Sequence, residues 1–353
     1  MTVRITTIFL IAILFITSCA NDNDDILRIY NNGILVSGEG SFSGESGSVS
    51  FISNDFQTVE NKIYESVNNS TLGSFLQSIA FDESRAFIVV DNSNTITVTN
   101  RFSFEEITRI TSGLSTPRYM TIYNNKGYVT NWGNTSSETD DFIAVINLDT
   151  YTLESKIPVG NGPERIVRHN KSLYISHKGG FTTNNIISVI NTDNNTVQEI
   201  TVNDNPDELL FNNSDELVVL CEGRTLFDEN FNITGHTLGS ITTINTSTNT
   251  ITKTIDFKNE DHPNLMDIQN DVVYYALNGN IYKLNTSDTT LPNESFISTN
   301  VSLYGMSTDE SYIYITHGDF VSLSNFDIYD ISTKEKTTSK KVALGASKIY
   351  FNE

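Results

Sequence analysis

Residues 143–150 read IAVINLDT, and this eight-residue pattern returns four more times along the chain. The copies are ISVINTDN at 187–194, ITTINTST at 241–248, IYKLNTSD at 281–288 and FDIYDIST at 326–333. The matching positions Asn147, Asn191, Asn245, Asn285 and Asp330 are separated by 44, 54, 40 and 45 residues. Alternating strands that repeat about every 40–50 residues are typical of a circular array of small antiparallel sheets.

Each copy lies in a group of four predicted strands. The clearest group has strands at 119–123, 126–131, 142–147 and 152–157, with Asn124-Asn125 as a tight hairpin turn between the first two. Five similar groups lie between residues 77 and 344, and the group at 208–257 is enlarged by an insertion at 221–238. The insertion either is a disordered flap or folds against the domain through its apolar residues, which are Phe227, Phe231 and Ile233.

The two ends of the chain are predicted to complete a seventh sheet. Residues 33–64 hold three predicted strands, at 34–37, 47–53 and 58–64, and residues 347–351 form one unpaired strand. Because an open ring would leave bare sheet edges, we expect the last strand to pair with the first. No run shows a helical period. The sequence therefore predicts an all-β, seven-bladed β-propeller of four-stranded antiparallel blades over residues 33–353, with six or eight blades as alternatives.

The first 18 residues are predicted to be a lipoprotein signal peptide. Arg4 supplies a positive charge, residues 8–16 are an apolar run too short to span a bilayer, and small residues precede Cys19. This pattern resembles a bacterial lipobox, in which Cys19 becomes the lipidated first residue; secretion with an incidental thiol is the alternative. Residues 19–32 are predicted to be a flexible acidic tether. Their acidity resembles the export signal of surface lipoproteins, so we expect an outer-membrane, surface-exposed location, with a periplasm-facing one as the alternative.

Charge and motif content exclude several classes of function. The chain has 43 acidic and 22 basic residues and a net charge of −21, which disfavours nucleic acid and anionic membrane surfaces as partners. The lipid anchor is then the only membrane contact that we expect. With Cys19 lipidated, Cys221 has no partner for a disulfide. Metal-binding, phosphate-loop and nucleophile-elbow motifs are missing from the sequence, so we expect no metal, no cofactor and no enzyme. A hydrolytic propeller is the alternative.

Three short stretches resemble the YVTN/YncE-like seven-bladed β-propellers. They are GYVTN at 127–131, GNGP at 160–163 and ISVIN at 187–191. The resemblance covers residue 77 to the end and is weaker before it. Lipidated chains of this type resemble surface propellers that accompany TonB-dependent outer-membrane transporters. The resemblance implies capture of a corrinoid such as cobalamin, or of a ferric siderophore, for delivery to the transporter. The alternative is a protein- or glycan-interaction scaffold without a small ligand.

The predicted binding face carries the loops between the second and third strands of the blades. These loops are long, whereas the loops on the opposite face have only a few residues, and long loops tend to persist where they serve a function. Aromatic faces with a few converging polar groups suit a large planar ligand. The predicted ligand contacts on this face are Glu39, Phe42, Asn131, Trp132, His177, Phe181, Glu222, Arg224, His317 and Phe320, joined by Arg118, Arg165 and Tyr304 at the start of inner strands.

Each predicted contact also has a purely structural interpretation. On this interpretation, the aromatic side chains pack beneath their own loops, the histidines form hydrogen bonds with nearby backbone groups, and the arginines pair with acidic residues of the surface. For Glu222 and Arg224 the alternative is a local ion pair on an exposed loop. His177 and His317 fall on nearly opposite sides of a seven-membered ring, so we do not expect them to share one metal ion.

Overall fold

The computed structural model describes residues 29–134, 136–258 and 260–353. These residues form seven four-stranded antiparallel sheets, or blades, and one separate two-stranded hairpin. The innermost strands of neighbouring blades contact one another around the ring. The seven-bladed β-propeller predicted from the repeat is therefore confirmed. The predicted signal peptide and the predicted lipidation site Cys19 lie outside the described residues. Within those residues, no helix is long and apolar enough to cross a membrane.

The first four blades follow the chain in order. Blade one takes its outer strands from the first part of the chain, as β1 (Gly33–Gly38), β2 (Ser48–Ser53) and β3 (Val59–Glu60), followed by the helix α1 (Ile63–Asn68). Blade two contains β4 (Leu76–Phe81), β5 (Arg85–Val90), β6 (Thr95–Asn100) and β7 (Glu106–Ile110). Blade three contains β8 (Pro117–Tyr123), β9 (Lys126–Asn131), β10 (Phe142–Asn147) and β11 (Thr152–Pro158). Blade four contains β12 (Pro163–His169), β13 (Ser172–His177), β14 (Ile186–Asn191) and β15 (Val197–Thr201).

The remaining blades carry the insertion and the closing strand. Blade five contains β16 (Pro206–Phe211), β17 (Leu217–Cys221), the inserted hairpin β18 (Arg224–Phe227) and β19 (Ile233–Thr237), then β20 (Ser240–Asn245) and β21 (Thr250–Asp256). Blade six contains β22 (Met266–Gln269), β23 (Val272–Leu277), β24 (Asn280–Asn285) and β25 (Ile297–Ser298). Blade seven contains β26 (Gly305–Thr308), β27 (Tyr312–Thr316), β28 (Leu323–Asp330) and β29 (Lys336–Leu344), and the last strand is β30 (Ala346–Asn352).

The last strand closes the ring as predicted. β30 is the innermost strand of blade one and runs antiparallel to β1, with Val36 opposite Ile349 and Leu35 opposite Tyr350. The turn into β30 depends on Gly345, whose φ of 63° lies in the left-handed region that favours glycine. A Cβ at Gly345 would lie 2.8 Å from the Phe320 ring, so a side chain has no room there.

The core consists of seven buried apolar clusters, counted over the described residues, and each lies between two neighbouring blades. Strand β10 shows how alternation produces them. Ile143 and Val145 pack toward blade four, whereas Ala144 and Ile146 pack toward blade two. Side chains two apart share a face of a strand, so a strand buried on both faces serves two interfaces.

Blade one differs from the prediction at its outer edge. A strand was expected over 58–64 and no helix anywhere, but β3 has two residues and α1 follows it. Lys62 has a φ of 57°, which breaks the extended run, and the helix then buries Ile63 and Tyr64 between blades one and two. Tyr30, which falls within the predicted tether 19–32, is buried in the same cluster.

Candidate functional site

The loops between second and third strands and the starts of the inner strands lie on one face of the ring, here called the loop face. Pro117, Pro163 and Pro206 begin the inner strands β8, β12 and β16. Each of them is paired with the last residue of the second strand in its own blade. The loop face therefore gathers the residues predicted as ligand contacts.

Asn131 and His177, both predicted as ligand contacts, are fully buried, so neither side chain is open to a ligand in this structure. The side-chain oxygen of Asn131 accepts a hydrogen bond from the backbone N–H of Ser115 at 2.8 Å. Nδ1 of His177 donates to the carbonyl oxygen of Asn161 at 3.1 Å. Ser115 and Asn161 each lie two residues before the proline that begins their blade, so both side chains fix the turn into an inner strand. Burial lowers the pKa of His177 to about 4, which keeps the imidazole neutral at pH 7.

Arg118 is held by two carboxylates from neighbouring blades. Its Nε and Nη2 donate to the two oxygens of Glu164 at 3.0 and 2.9 Å, and Nη1 donates to Asp91 at 2.8 Å. A bidentate guanidinium–carboxylate pair is among the stronger hydrogen-bonded contacts. The guanidinium carbon also lies 3.9 Å from the centre of the Trp132 ring. Burial acts to lower the pKa of Arg118, but Glu164 and Asp91 outweigh it and the pKa is raised.

Arg165 and Lys178 form a second group of ion pairs between blades four and five. Arg165 donates to Asp207 at 2.9 Å and also to Glu208. Lys178 bridges Asp207 and Glu222, at 2.9 and 2.8 Å. Burial acts to raise the pKa of Asp207, but Lys178, Arg165 and Lys348 outweigh this effect and lower it.

The two groups together are called the inner ion-pair network, which holds three cations and five carboxylates: Arg118, Arg165, Lys178, Asp91, Glu164, Asp207, Glu208 and Glu222. Arg118, Arg165 and Glu222 were predicted as ligand contacts, and here their charged groups already have protein partners. The prediction missed Lys178, Glu164, Asp207 and Glu208. A signal for three of these was present, because charged residues directly follow the prolines that begin blades three, four and five.

Glu222 and Arg224 do not form a local ion pair with each other. Glu222 pairs with Lys178, whereas Nε of Arg224 donates to Asp204 at 3.0 Å. Arg224 therefore lies outside the network, at the base of the inserted hairpin. His317 also lies apart from the others, since its Nε2 is 3.0 Å from Asp327 of its own blade.

Four predicted contacts meet where blades seven and one adjoin. The Tyr304 hydroxyl donates to Glu39 at 2.9 Å, and the Tyr304 and Phe320 ring centroids are 5.4 Å apart. Phe42 packs on Phe320 at a centroid distance of 5.2 Å, yet 78% of Phe42 is exposed. Burial raises the pKa of Glu39, although Lys348 and the Tyr304 hydroxyl oppose the shift. This group presents an aromatic surface to solvent.

Trp132 and Phe181 form a second aromatic contact on the loop face. Their ring centroids are 6.0 Å apart, Trp132 is half-buried, and Phe181 is 77% exposed. The cavity beside them has a volume of only about 20 Å³. Trp132 thus packs beneath its loop on Arg118, whereas Phe181 faces solvent.

The inserted segment is an ordered hairpin rather than a flap without structure. Strands β18 and β19 pair with each other, and Phe227, Phe231 and Ile233 of the hairpin are 56%, 86% and 62% exposed. At its base, Nδ1 of His236 lies 3.0 Å from Nε2 of His262. Among the described residues, no group of three His, Cys, Asp or Glu side chains is arranged to hold a metal ion.

Exposed apolar side chains are concentrated on the loop face. We call this set the apolar rim, and its members in the described residues are Phe42, Phe181, Phe227, Phe231, Ile233, Tyr304, Val321 and Leu323. Phe42, Phe181, Phe231 and Val321 are each more than three-quarters exposed. The loop face therefore combines an inner ring of paired charges with an outer ring of uncovered apolar groups.

Solved structures share the propeller architecture at low sequence identity. A functionally unknown protein from Desulfotomaculum acetoxidans superposes with a TM-score of 0.65 and 15% identity, over 91% of this chain and 98% of that one. The dihydro-heme d1 dehydrogenase NirN, solved in complex with DHE, gives a TM-score of 0.57 and 10% identity over 91% and 75%. Apo AztD from Citrobacter koseri gives a TM-score of 0.50 and 10% identity, over 90% of this chain and 96% of that one. At these identities the likeness concerns the fold alone.

Sequence comparison gives a family but no characterised relative. No curated protein matches this sequence. Residues 32–215, just over half of the chain, match a profile described as a domain of unknown function. These residues span blades one to four, apart from the closing strand β30, and the beginning of blade five. The chain belongs to this family, DUF5074.

Proposed function

We propose that this chain is a non-catalytic, lipid-anchored binding protein of the cell envelope. On this proposal, it captures a bulky nutrient on the loop face and hands it to a TonB-dependent outer-membrane transporter. The proposed ligand is a corrinoid such as cobalamin, or a ferric siderophore. The resemblance to YVTN/YncE-like surface propellers suggested this role, and the apolar rim is the structural observation that carries it.

The apolar rim supports a binding role because uncovered apolar surface is costly in water. Of the twelve large apolar side chains exposed among the described residues, eight belong to the rim. The other four, Ile29, Ile107, Val197 and Ile251, lie near the start of the described chain or on outer strands. Exposed apolar groups that gather on one face of a domain are a mark of places where a ligand or a partner binds.

The dimensions of the loop face restrict how a bulky ligand would be held. Pockets that enclose drug-sized ligands measure about 300–1,000 Å³, whereas the cavity beside Trp132 measures about 20 Å³. The cavity beside Trp132 is therefore too small to enclose a corrinoid, and a corrinoid bound there would lie across the surface, against the exposed ring of Phe181. Flat contact with exposed aromatic faces suits a large planar molecule.

A spectral titration tests ligand capture directly. The purified domain is titrated with cobalamin and, separately, with a ferric catecholate, and the visible spectrum of each ligand is followed. We expect a saturable change for one of them, which weakens about tenfold or more in a Phe42→Ser, Phe181→Ser double variant. Ile251→Ser serves as the matched control, because Ile251 is exposed on an outer strand. Unchanged spectra with both ligands would rule out capture of these ligand classes.

A second candidate function is a protein-interaction scaffold without a small ligand. The hairpin β18–β19 favours it, since its three exposed apolar side chains surround no cavity of ligand size among those found in the described residues. Co-purification from solubilised outer membranes distinguishes the candidates. Retention of a barrel protein by the wild type, its loss in Phe231→Ser, and no spectral response would favour the scaffold.

The proposed anchoring and location have a separate test. Cys19→Ser removes the thiol that a lipid would modify, so we expect the variant protein to leave the membrane fraction. Surface exposure is checked by digestion of intact cells with an added protease, which a periplasm-facing domain would escape. A Cys19→Ser variant that stays in the membrane fraction would contradict lipid anchoring.

A further inference from the structure

A second cavity lies in the central channel, away from the loop-face aromatic groups. Its volume is about 220 Å³, and the inner strand of every blade contributes to its lining. Four of the lining side chains carry formal charges: Arg165 and Lys348 are basic, and Glu208 and Asp267 are acidic. The cavity is too small for a corrinoid but has room for a molecule the size of an amino acid.

Two of the four charged groups are satisfied by the protein. Arg165 is bound by Asp207 and Glu208. The carboxylate of Asp267 accepts hydrogen bonds from the backbone N–H of Ile268 at 2.8 Å and of Thr308 at 2.7 Å. Hydroxyl groups of Ser307 and Thr308 also donate to Asp267, at 3.0 and 3.2 Å. Neither group needs a ligand.

Lys348 differs from these two groups in its contacts with the described residues. It makes no hydrogen bond and no ion pair with any residue in the described part of the chain, and its nearest aromatic contact is the Tyr119 ring, with Nζ 5.9 Å from the centroid. Three carboxylates face it, those of Glu208, Asp207 and Glu39, but none lies within 4.0 Å. Burial and the neighbouring Arg165 lower the pKa of Lys348.

Glu208 offers an acceptor in the same cavity. One of its oxygens is bound by Arg165, and the other has no hydrogen bond with a described residue. Burial raises the pKa of Glu208 to about 7, with the adjacent Asp207 acting in the same direction and Arg165 opposing it. The cavity therefore holds one free cationic donor and one free carboxylate oxygen, both removed from bulk water.

The charges around the cavity select the ligand class. A simple anion that reached Lys348 would meet Glu208 and Asp267, and a simple cation that reached Glu208 would meet Arg165 and Lys348. A zwitterion carries both charges and no net charge, which matches a lining of two cations and two carboxylates. Buried charges are stable only when they are paired and hydrogen-bonded.

We propose that the central channel binds a small zwitterion of amino-acid size, whose carboxylate is held by Lys348 and whose ammonium group is held by Glu208. The Tyr119 hydroxyl, which makes no hydrogen bond with a described residue, is a further group in reach of such a ligand. This site is independent of the function proposed for the apolar rim.

Calorimetric titration of the whole domain tests the proposal, with L-alanine, L-leucine and L-glutamine as probes. Acetate and ethylammonium, each of which carries only one of the two charges, are the comparison ligands. We expect saturable binding of at least one amino acid, and binding about tenfold or more weaker for both comparison ligands. Lys348→Met and Glu208→Gln should each weaken amino-acid binding by a similar factor.

Folding of the variants is checked by thermal unfolding. Lys348→Met should keep or raise the melting temperature, because it removes an unpaired buried charge. Lys258→Met, which changes an exposed lysine outside the channel, is the matched control and should leave amino-acid binding unchanged. Absence of binding by all three amino acids would mean that water alone fills the cavity and would overturn the proposal. Equal binding of acetate and amino acid, or full binding by folded Lys348→Met, would overturn it as well.

Discussion

The inner ion-pair network and the apolar rim share one face of the propeller but differ in how their side chains are satisfied. In the network, the guanidinium groups of Arg118 and Arg165 each contact two carboxylates and are mostly buried. In the rim, Phe231 and Val321 are 86% and 95% exposed and bury little against the domain. Charged groups that already have partners serve the architecture, and uncovered apolar groups remain for an outside partner.

This contrast moves the expected ligand contacts outward from the inner strands. Each cation of the network joins neighbouring blades, so it fastens the inner ends of the ring. The charge of Arg118 is already paired with Glu164 and Asp91, and a ligand that displaced either of them would leave a buried carboxylate alone. The rim has no such cost, because binding there only removes apolar surface from water.

The largest effect is expected when the network loses Arg165. In Arg165→Met, Asp207 keeps Lys178, but Glu208 loses its only ion-pair partner among the described residues. Removal of one partner of a buried pair typically costs about 3–5 kcal/mol of unfolding free energy. Urea unfolding at neutral pH measures the loss, and the double variant Arg165→Met, Glu208→Gln should recover part of it. A loss of less than about 1 kcal/mol would show that the network is not structural.

The next effect concerns acid stability and His177. Its pKa is about 4 in the folded domain and about 6.5 in an unfolded chain, so the unfolded state takes up the proton first. The stability from the neutral imidazole is therefore complete above pH 6.5 and is lost as the pH falls toward 4. This difference between the folded-state and unfolded-state pKa of His177 corresponds to about 3 kcal/mol of unfolding free energy. His177→Gln cannot titrate, so urea unfolding between pH 7 and 4 should show a shallower decline than in the wild type. Parallel declines would contradict the buried, neutral imidazole.

Trp132 lies between the two regions and is expected to give a smaller effect. Its ring is stacked on the buried Arg118 guanidinium at 3.9 Å. A cation–π contact removed from water contributes about 2 kcal/mol, so Trp132→Ala should lower stability by roughly that amount, and Trp132→Phe by less. If Trp132 is instead a ligand contact, as the sequence predicts, Trp132→Ala should weaken ligand binding and leave the melting temperature nearly unchanged. Paired melting and binding measurements on both variants decide between the two expectations.

The sequence specifies the fold well because the fold repeats. The copies that contain Asn147 or Asn191 predict a blade each, and the spacing between them predicts the number of blades. The sequence did not predict α1, because Ile63 and Tyr64 fit a strand pattern equally well and the helix has only six residues. The positive φ of Lys62 ends the extended backbone before Ile63, so the helix forms there instead of a longer strand.

The site was harder to predict because its contacts cross between blades. Arg118 and Glu164 are 46 positions apart, and only the register of neighbouring inner strands brings them together. Asn131 and His177 look like a ring of ligand contacts because they recur at one position of the blade. In blades three and four these two side chains instead fix the turn into the inner strand, which is a structural role. The exposure of Phe42 or Phe231 depends on how the loops fold, and composition does not reveal it.

The smallest effect on stability is expected for the apolar rim. Phe181→Ser, Phe231→Ser and Val321→Ser change side chains that are at least 77% exposed. Exposed substitutions away from caps and networks usually change the unfolding free energy by no more than about 0.5 kcal/mol. Urea unfolding of each single variant checks this, and a loss above about 1 kcal/mol would mean that the residue packs against the domain.

The most direct test combines the three rim substitutions in one protein and measures both stability and binding. The triple variant Phe181→Ser, Phe231→Ser, Val321→Ser is compared with the wild type by urea unfolding, by spectral titration with cobalamin and a ferric catecholate, and by co-purification from outer membranes. We predict a nearly unchanged unfolding midpoint together with loss of the ligand response or of the membrane partner. A variant that unfolds more easily but binds as the wild type does would contradict the assignment of the rim as the binding surface.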